Sequence, residues 1–83
     1  MSLENTDSIE SKEESVLGIV NLIRAKSDMP PLGRLNYDDS LRNDLGFDSM
    51  DLAELTVRVE DAFGVDVFEN GIVRTVGEIL DLI

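Results

Sequence analysis

Apolar side chains recur along much of this chain at the three- and four-residue spacing of a single helix face. The first such stretch opens at Ser11, where Ser11 and Glu14 make a Ser-x-x-Glu capping box. Val16, Ile19, Val20 and Ile23 follow at i, i+3, i+4 and i+7, with Leu17 and Leu22 widening the stripe. Arg24 and Lys26 fall in its last turn, where cations suit the helix dipole. Residues 1–10 are polar and acidic without periodicity, which predicts a flexible lead-in to a single domain spanning 11–83.

The segment from Ser27 to Phe47 cannot be one helix, because Pro30-Pro31 and Gly33 interrupt it. It is nevertheless studded with Met29, Leu32, Leu35, Tyr37, Leu41, Leu45 and Phe47, so it is expected to be pinned across the domain by these anchors. A short helical turn is expected around Asp39–Asn43. The next helix begins at Ser49, with Gly46 giving the backbone freedom ahead of it and Asp48 placed as N-cap. At about 100° per residue, Leu52, Leu55, Thr56, Val59, Ala62 and Phe63 gather on a core face. Asp51, Glu54, Arg58 and Asp61 lie opposite. Between them runs a narrow apolar strip of Met50, Ala53 and Val57, rimmed by acid beside a serine at the exposed helix tip.

Gly64 terminates that helix. Val65 to Phe68 is too short for a convincing strand and is expected to pack its alternating apolar side chains on the bundle. A short helix is predicted around Phe68–Ile72, weakened by Asn70 and Gly71. Thr75 and Glu78 then repeat the capping box, and Val76, Ile79, Leu80 and Ile83 repeat the core spacing. The fold class is all-α: a small four-helix bundle of three main helices and one short one, with a long first loop.

Charge narrows the possible partners. Eighteen acidic against seven basic residues leave a formal charge of −11, which nucleic acids and anionic membranes repel, so partners are expected to carry basic patches. Histidine and cysteine are both lacking, which removes the commonest general base, the commonest metal ligand and any disulfide. Neither catalytic nor metal-binding residues are therefore expected. The best calcium-loop candidate starts at Asp66, but it puts Phe68 and Gly77 where oxygen ligands belong. No apolar run approaches the ~20 residues of a membrane span and no secretory signal is visible. The expectation is a soluble, cytoplasmic monomer.

The run Asp44-Leu45-Gly46-Phe47-Asp48-Ser49-Met50, followed by Asp51, Glu54, Leu55, Glu60 and Phe63, resembles the acyl carrier proteins over residues 12–83. It is similar to their Asp-Ser-Leu box, with Met50 in place of leucine. The resemblance implies that Ser49 carries a covalent 4′-phosphopantetheine arm, installed from coenzyme A by a phosphopantetheinyl transferase. The arm's thiol would hold acyl groups as thioesters for enzymes of fatty-acid, lipid or polyketide-type biosynthesis. It also implies a partner surface of Asp48, Met50, Asp51, Glu54, Val57, Glu60 and Asp61; by helix angle Glu60 lies nearer the Ser49 side than Asp51 or Asp61 and is expected to serve a different contact. Three departures stand out: Phe68 where the family commonly has proline, a third segment about two residues shorter, and Arg58 on an otherwise acidic face. Arg58 is expected to pair with Glu54 or Asp61 along its own helix. The alternative reading is an acidic helical adaptor without a prosthetic group, which shares every feature except dependence on Ser49.

Self-repulsion at −11 gives a direct expectation. Added salt or magnesium at fixed pH should raise the thermal midpoint, and a midpoint indifferent to both would contradict it.

Overall fold

The order of elements is α1 (Leu3–Lys26), α2 (Ser49–Phe63) and α3 (Val76–Leu82). The computed structural model describes residues 3–67 and 73–83, with side chains described from residue 12 onward. Among the described residues all regular structure is helical apart from one isolated antiparallel bridge, Ser40 with Thr75. This bears out the all-α expectation; the fourth, short helix expected at Phe68–Ile72 lies outside the described residues.

Helix α1 starts eight residues before the expected Ser11 cap, at Leu3 (11 − 3 = 8). Residues 3–10, read from sequence as a flexible lead-in, are thus part of the helix. Residues 3–11 contain neither glycine nor proline, so backbone chemistry does not stop the helix there. A serine and a glutamate three apart are equally compatible with a helix interior. The buried face is narrower than the stripe suggested: Val16, Val20 and Ile23 are wholly buried and Leu17 and Ile19 pack at the margin, but Leu22 remains 46 % exposed. The helix ends at Lys26, before the prolines, and Asp28 just beyond it has a φ of 59°, the left-handed conformation that aspartate tolerates better than most side chains. The Ser27 and Met29 amides both donate to the Arg24 carbonyl.

The long loop is fastened from both sides. Asn21 on α1 makes a reciprocal pair with Leu32, its Oδ1 accepting from the Leu32 amide at 2.8 Å while its Nδ2 donates to the Leu32 carbonyl at 3.0 Å. Leu35, Leu41, Leu45 and Phe47 enter the core, and Met29 and Leu32 are half-buried, as their spacing suggested. The helix-like turn lies slightly later than expected, over 41–45, with the Ser40 carbonyl accepting from Asp44 at 2.9 Å and that of Arg42 from Gly46 at 3.1 Å.

Helix α3 is only 7 residues long and relies on this loop. Thr75 and Glu78 form the capping box foreseen from sequence. Two more amides at its start, Val76 and Gly77, donate to the carbonyls of Asp39 (3.0 Å) and Tyr37 (2.8 Å), so the loop satisfies groups the helix itself cannot. Tyr37 is not the buried anchor its position suggested, being 56 % exposed. Its ring lies across Gly77 instead, where an added Cβ would stand 2.5 Å from a ring carbon, and its hydroxyl donates to the Asp81 carboxylate. That bond, reinforced by the negative charges of Asp81, Asp38 and Glu78, holds the phenol above its ordinary pKa. The core closes with Leu55 and Val59 of α2, Val67, Val73, Val76 and Ile79.

Gly77→Ala should therefore force the ring off α3 and destabilise the domain by roughly 1–3 kcal/mol in urea unfolding. The phenol pKa, followed by absorbance, should fall back toward 10 in the variant. With the folded-state value raised, the stabilisation is present below the unfolded pKa and lost as pH rises through the folded one, so wild-type stability should decline above about pH 10.

Candidate functional site

The turn before α2 alternates buried and exposed residues: Leu45 and Phe47 are buried, while Gly46, Asp48 and Ser49 face solvent. Each member has a mechanical role. Asp44 accepts from the Ser40 amide at 2.6 Å, closing the preceding turn. Gly46 has φ 75°, a conformation costly for any side chain, and a Cβ there would also press to 3.1 Å from the Met29 sulfur. The Phe47 amide donates to the Leu41 carbonyl at 3.0 Å. From beneath, Arg24 of α1 donates through Nη1 to the Leu45 carbonyl at 2.7 Å and through Nε to the Pro30 carbonyl at 3.1 Å. Sequence reading assigned Arg24 only to the helix dipole; the structure shows it buried and holding two parts of the loop together.

Asp48 caps α2 as expected, its Oδ1 accepting from the Asp51 amide at 2.9 Å. The box is reciprocal, because the Asp48 amide donates to Asp51 Oδ2 at 3.2 Å. Ser49 follows as the first helical residue, exposed, and its Oγ accepts from Arg42 Nη2 at 3.1 Å. The hydroxyl is thus presented on a rigid convex tip beside a cation. Sequence reasoning missed Arg42. The available signal was a lone arginine one residue ahead of Asn43-Asp44 in a strongly acidic chain, which is too little to name a contact.

Farther along α2, Met50 is 82 % and Val57 64 % exposed, so the apolar strip faces solvent. Ala53, Glu54, Val57, Arg58 and Asp61 line one shallow depression of about 480 Å³. Glu54 is not an unattached acid: it accepts from Lys26 at 2.6 Å and from Arg58 Nε at 2.7 Å. Lys26 first, and Arg58 second, lower its pKa below the usual carboxylate range. The Arg58 pair is the intrahelical one anticipated with Glu54. Glu60 lies apart from this strip, lining a separate depression with Gly64, Val65 and Asp66. On the core face Leu55, Thr56 and Val59 are buried and Leu52 and Phe63 half-buried, but Ala62, expected there, is exposed.

A second groove, of about 400 Å³, opens on the Arg42 side between the 40–43 turn, Leu52, Val73 and Arg74. The arrangement fits an anionic group esterified to Ser49: the accepting oxygen is accessible, a guanidinium touches it, and the surrounding backbone is held from below. Among the described residues no group of three or more histidine, cysteine or acidic side chains is placed to hold a metal, and no helix is long and apolar enough to cross a membrane.

Residues 18–83 match the family model described as phosphopantetheine attachment site. The chain is 29 % identical over 75 residues to a meromycolate extension acyl carrier protein of Mycobacterium leprae (88 % of this chain, 64 % of the relative). The corresponding protein of Mycobacterium tuberculosis is 29 % identical over 72 residues (84 % and 62 %). An acyl carrier protein of Saccharopolyspora erythraea is 37 % identical over 54 residues (63 % and 57 %). The chain thus spans somewhat under two thirds of the length of the curated relatives it matches. No solved structure matches it.

Arg24→Met should leave the Leu45 and Pro30 carbonyls without their donor and cost about 1–3 kcal/mol. Amide hydrogen exchange should accelerate across 44–48 before it does in the middle of α2; uniform exchange with unchanged stability would contradict the assigned role.

Proposed function

Because the chain belongs to the phosphopantetheine attachment site family, we propose that it is an acyl carrier whose Ser49 bears the 4′-phosphopantetheine arm. The observation that carries this reading is the Ser49 hydroxyl, exposed at the first position of α2 on a turn fixed by Arg24, Gly46 and the Asp48–Asp51 box. In the loading step the Ser49 oxygen forms a bond to a phosphorus of coenzyme A, and that phosphorus loses its bond to the diphosphate bridge. The nucleotide portion leaves, and the serine proton passes to a base of the phosphopantetheinyl transferase. When bound, the arm supplies a terminal thiol for thioester formation with acyl groups. The chain's own residues present the attachment oxygen, keep the turn rigid and offer a surface for docking; the bond-making belongs to partner enzymes.

The partner surface comprises Asp48, Met50, Asp51, Glu54, Val57, Glu60 and Asp61, and the enzymes that load, transfer or condense acyl groups meet it with basic patches. Its centre is the exposed Met50–Ala53–Val57 strip with Asp61 beside it. The Lys26 and Arg58 contacts to Glu54 moderate the acid at this centre, which favours an apolar contribution to docking over a purely electrostatic one. The carrier works as a cytoplasmic monomer. Its cargo belongs to fatty-acid, lipid or polyketide-type biosynthesis, and the names of the mycobacterial relatives favour the lipid side.

Incubation with coenzyme A and a broad-specificity phosphopantetheinyl transferase should add one phosphopantetheine to the wild type and none to Ser49→Ala, by intact-mass spectrometry. Failure of the wild type to gain the group would favour the acidic adaptor reading instead.

A further inference from the structure

We propose that Arg42 holds the phosphate of the arm: the guanidinium that touches Ser49 Oγ through Nη2 at 3.1 Å pairs with the phosphodiester formed on that oxygen. This rests on the reading of Ser49 as the attachment point. The bridging oxygen of the ester is Oγ itself, and the charged oxygens lie one phosphorus atom beyond it. A planar, multi-donor guanidinium already within hydrogen-bond distance of Oγ can reach them by a small side-chain rotation.

Charge gives this contact its purpose. A phosphodiester adds a permanent negative charge to a chain that already carries −11. It does so beside Asp48 and Asp51, whose reciprocal capping bonds fix both carboxylates at the same end of α2. Like charges at such separations repel appreciably even in partly hydrated surroundings. Of the other cations, Arg24 is buried on two carbonyls and Lys26 and Arg58 both sit on Glu54, while Arg74 borders the same groove as Arg42; the contact to Ser49 Oγ itself comes from Arg42. Among the described residues Arg42 makes no ion pair. Its one side-chain hydrogen bond among the described residues goes to the oxygen that is to be esterified.

The same geometry is compatible with loading. In the unmodified chain Oγ accepts from Arg42, which leaves the hydroxyl's own proton available for transfer to an external base. After esterification Oγ is a poor acceptor and the phosphate oxygens are strong ones, so the donor moves from one to the other. Arg42 also lines the groove with Leu41, Leu52, Val73 and Arg74, so a phosphate held there leaves the arm at the lip of that groove.

The test compares unmodified and phosphopantetheinylated forms of the wild type, Arg42→Gln, Arg42→Lys and, as a control in the long loop, Arg34→Gln. Loading is first verified by intact mass. At low ionic strength Arg42→Gln should lower the thermal midpoint of the modified form more than that of the unmodified form, by about 1–8 °C. The excess should shrink at ~1 M salt, where the screening length is about 3 Å. Arg42→Lys should retain most of the effect, and Arg34→Gln should shift both forms equally. The phosphorus NMR resonance of the arm should move in Arg42→Gln and stay put in Arg34→Gln. Equal shifts of both forms in Arg42→Gln, with an unmoved phosphorus resonance, would overturn the role of Arg42 while leaving Ser49 as the attachment site. A wild type that does not load would overturn both.

Discussion

The Arg24 guanidinium is the hinge point of this architecture. It is 8 % exposed, and burying a charge is tolerable only where polar groups surround it. Here the Pro30 and Leu45 carbonyls supply them, and the last turn of α1 adds the negative end of its dipole. One side chain thereby ties the end of the first helix to both the entry and the exit of the long loop. Leu45 is the residue ahead of Gly46, so the left-handed turn and the Asp48 cap inherit their position from that bond. Without it, the apolar anchors would still collapse onto the core, but the depth and orientation of the 44–49 turn would not be fixed.

Much of the fold was legible because its signals are local. The caps of α2 and α3 are short-range hydrogen bonds between residues three apart: Asp48 was readable as the N-cap and Thr75–Glu78 as a box, while the reciprocal bond to Asp51 emerges from the structure. Gly64 ended α2 with φ 69° for the same reason. The start of α1 was misplaced because Ser11 and Glu14 are a cap only if the chain ahead of them is not helical, and nothing in their own chemistry decides that. Leu22 and Ala62 were assigned inward by angle alone, whereas burial depends on how far the neighbouring elements extend. Tyr37 was read as one of the anchors spread along the loop; the glycine that receives its ring lies forty residues away, at Gly77 (77 − 37 = 40).

The site shows the same division. Ser49, its cap and its exposed apolar neighbours follow from sequence, because helix position determines exposure at a convex tip. The contacts made by Arg24, Arg42 and Lys26 do not, since long flexible cations choose partners by tertiary proximity. These contacts also rank the acidic residues. Asp48 and Asp51 are occupied with one another, and Glu54 is neutralised by two cations. The Asp61 carboxylate has no side-chain hydrogen bond or ion pair among the described residues and borders the apolar depression, so its charge is the least compensated on this face.

The seat of Tyr37 has a spectroscopic consequence. The chain contains one tyrosine and no tryptophan, so emission excited beyond the phenylalanine absorption band comes from a single ring. That ring rests on α3 while its hydroxyl is held by a carboxylate of the same helix, an arrangement that quenches the excited phenol. Brightening of the intrinsic fluorescence would therefore signal detachment of the last helix from the loop, with no label attached.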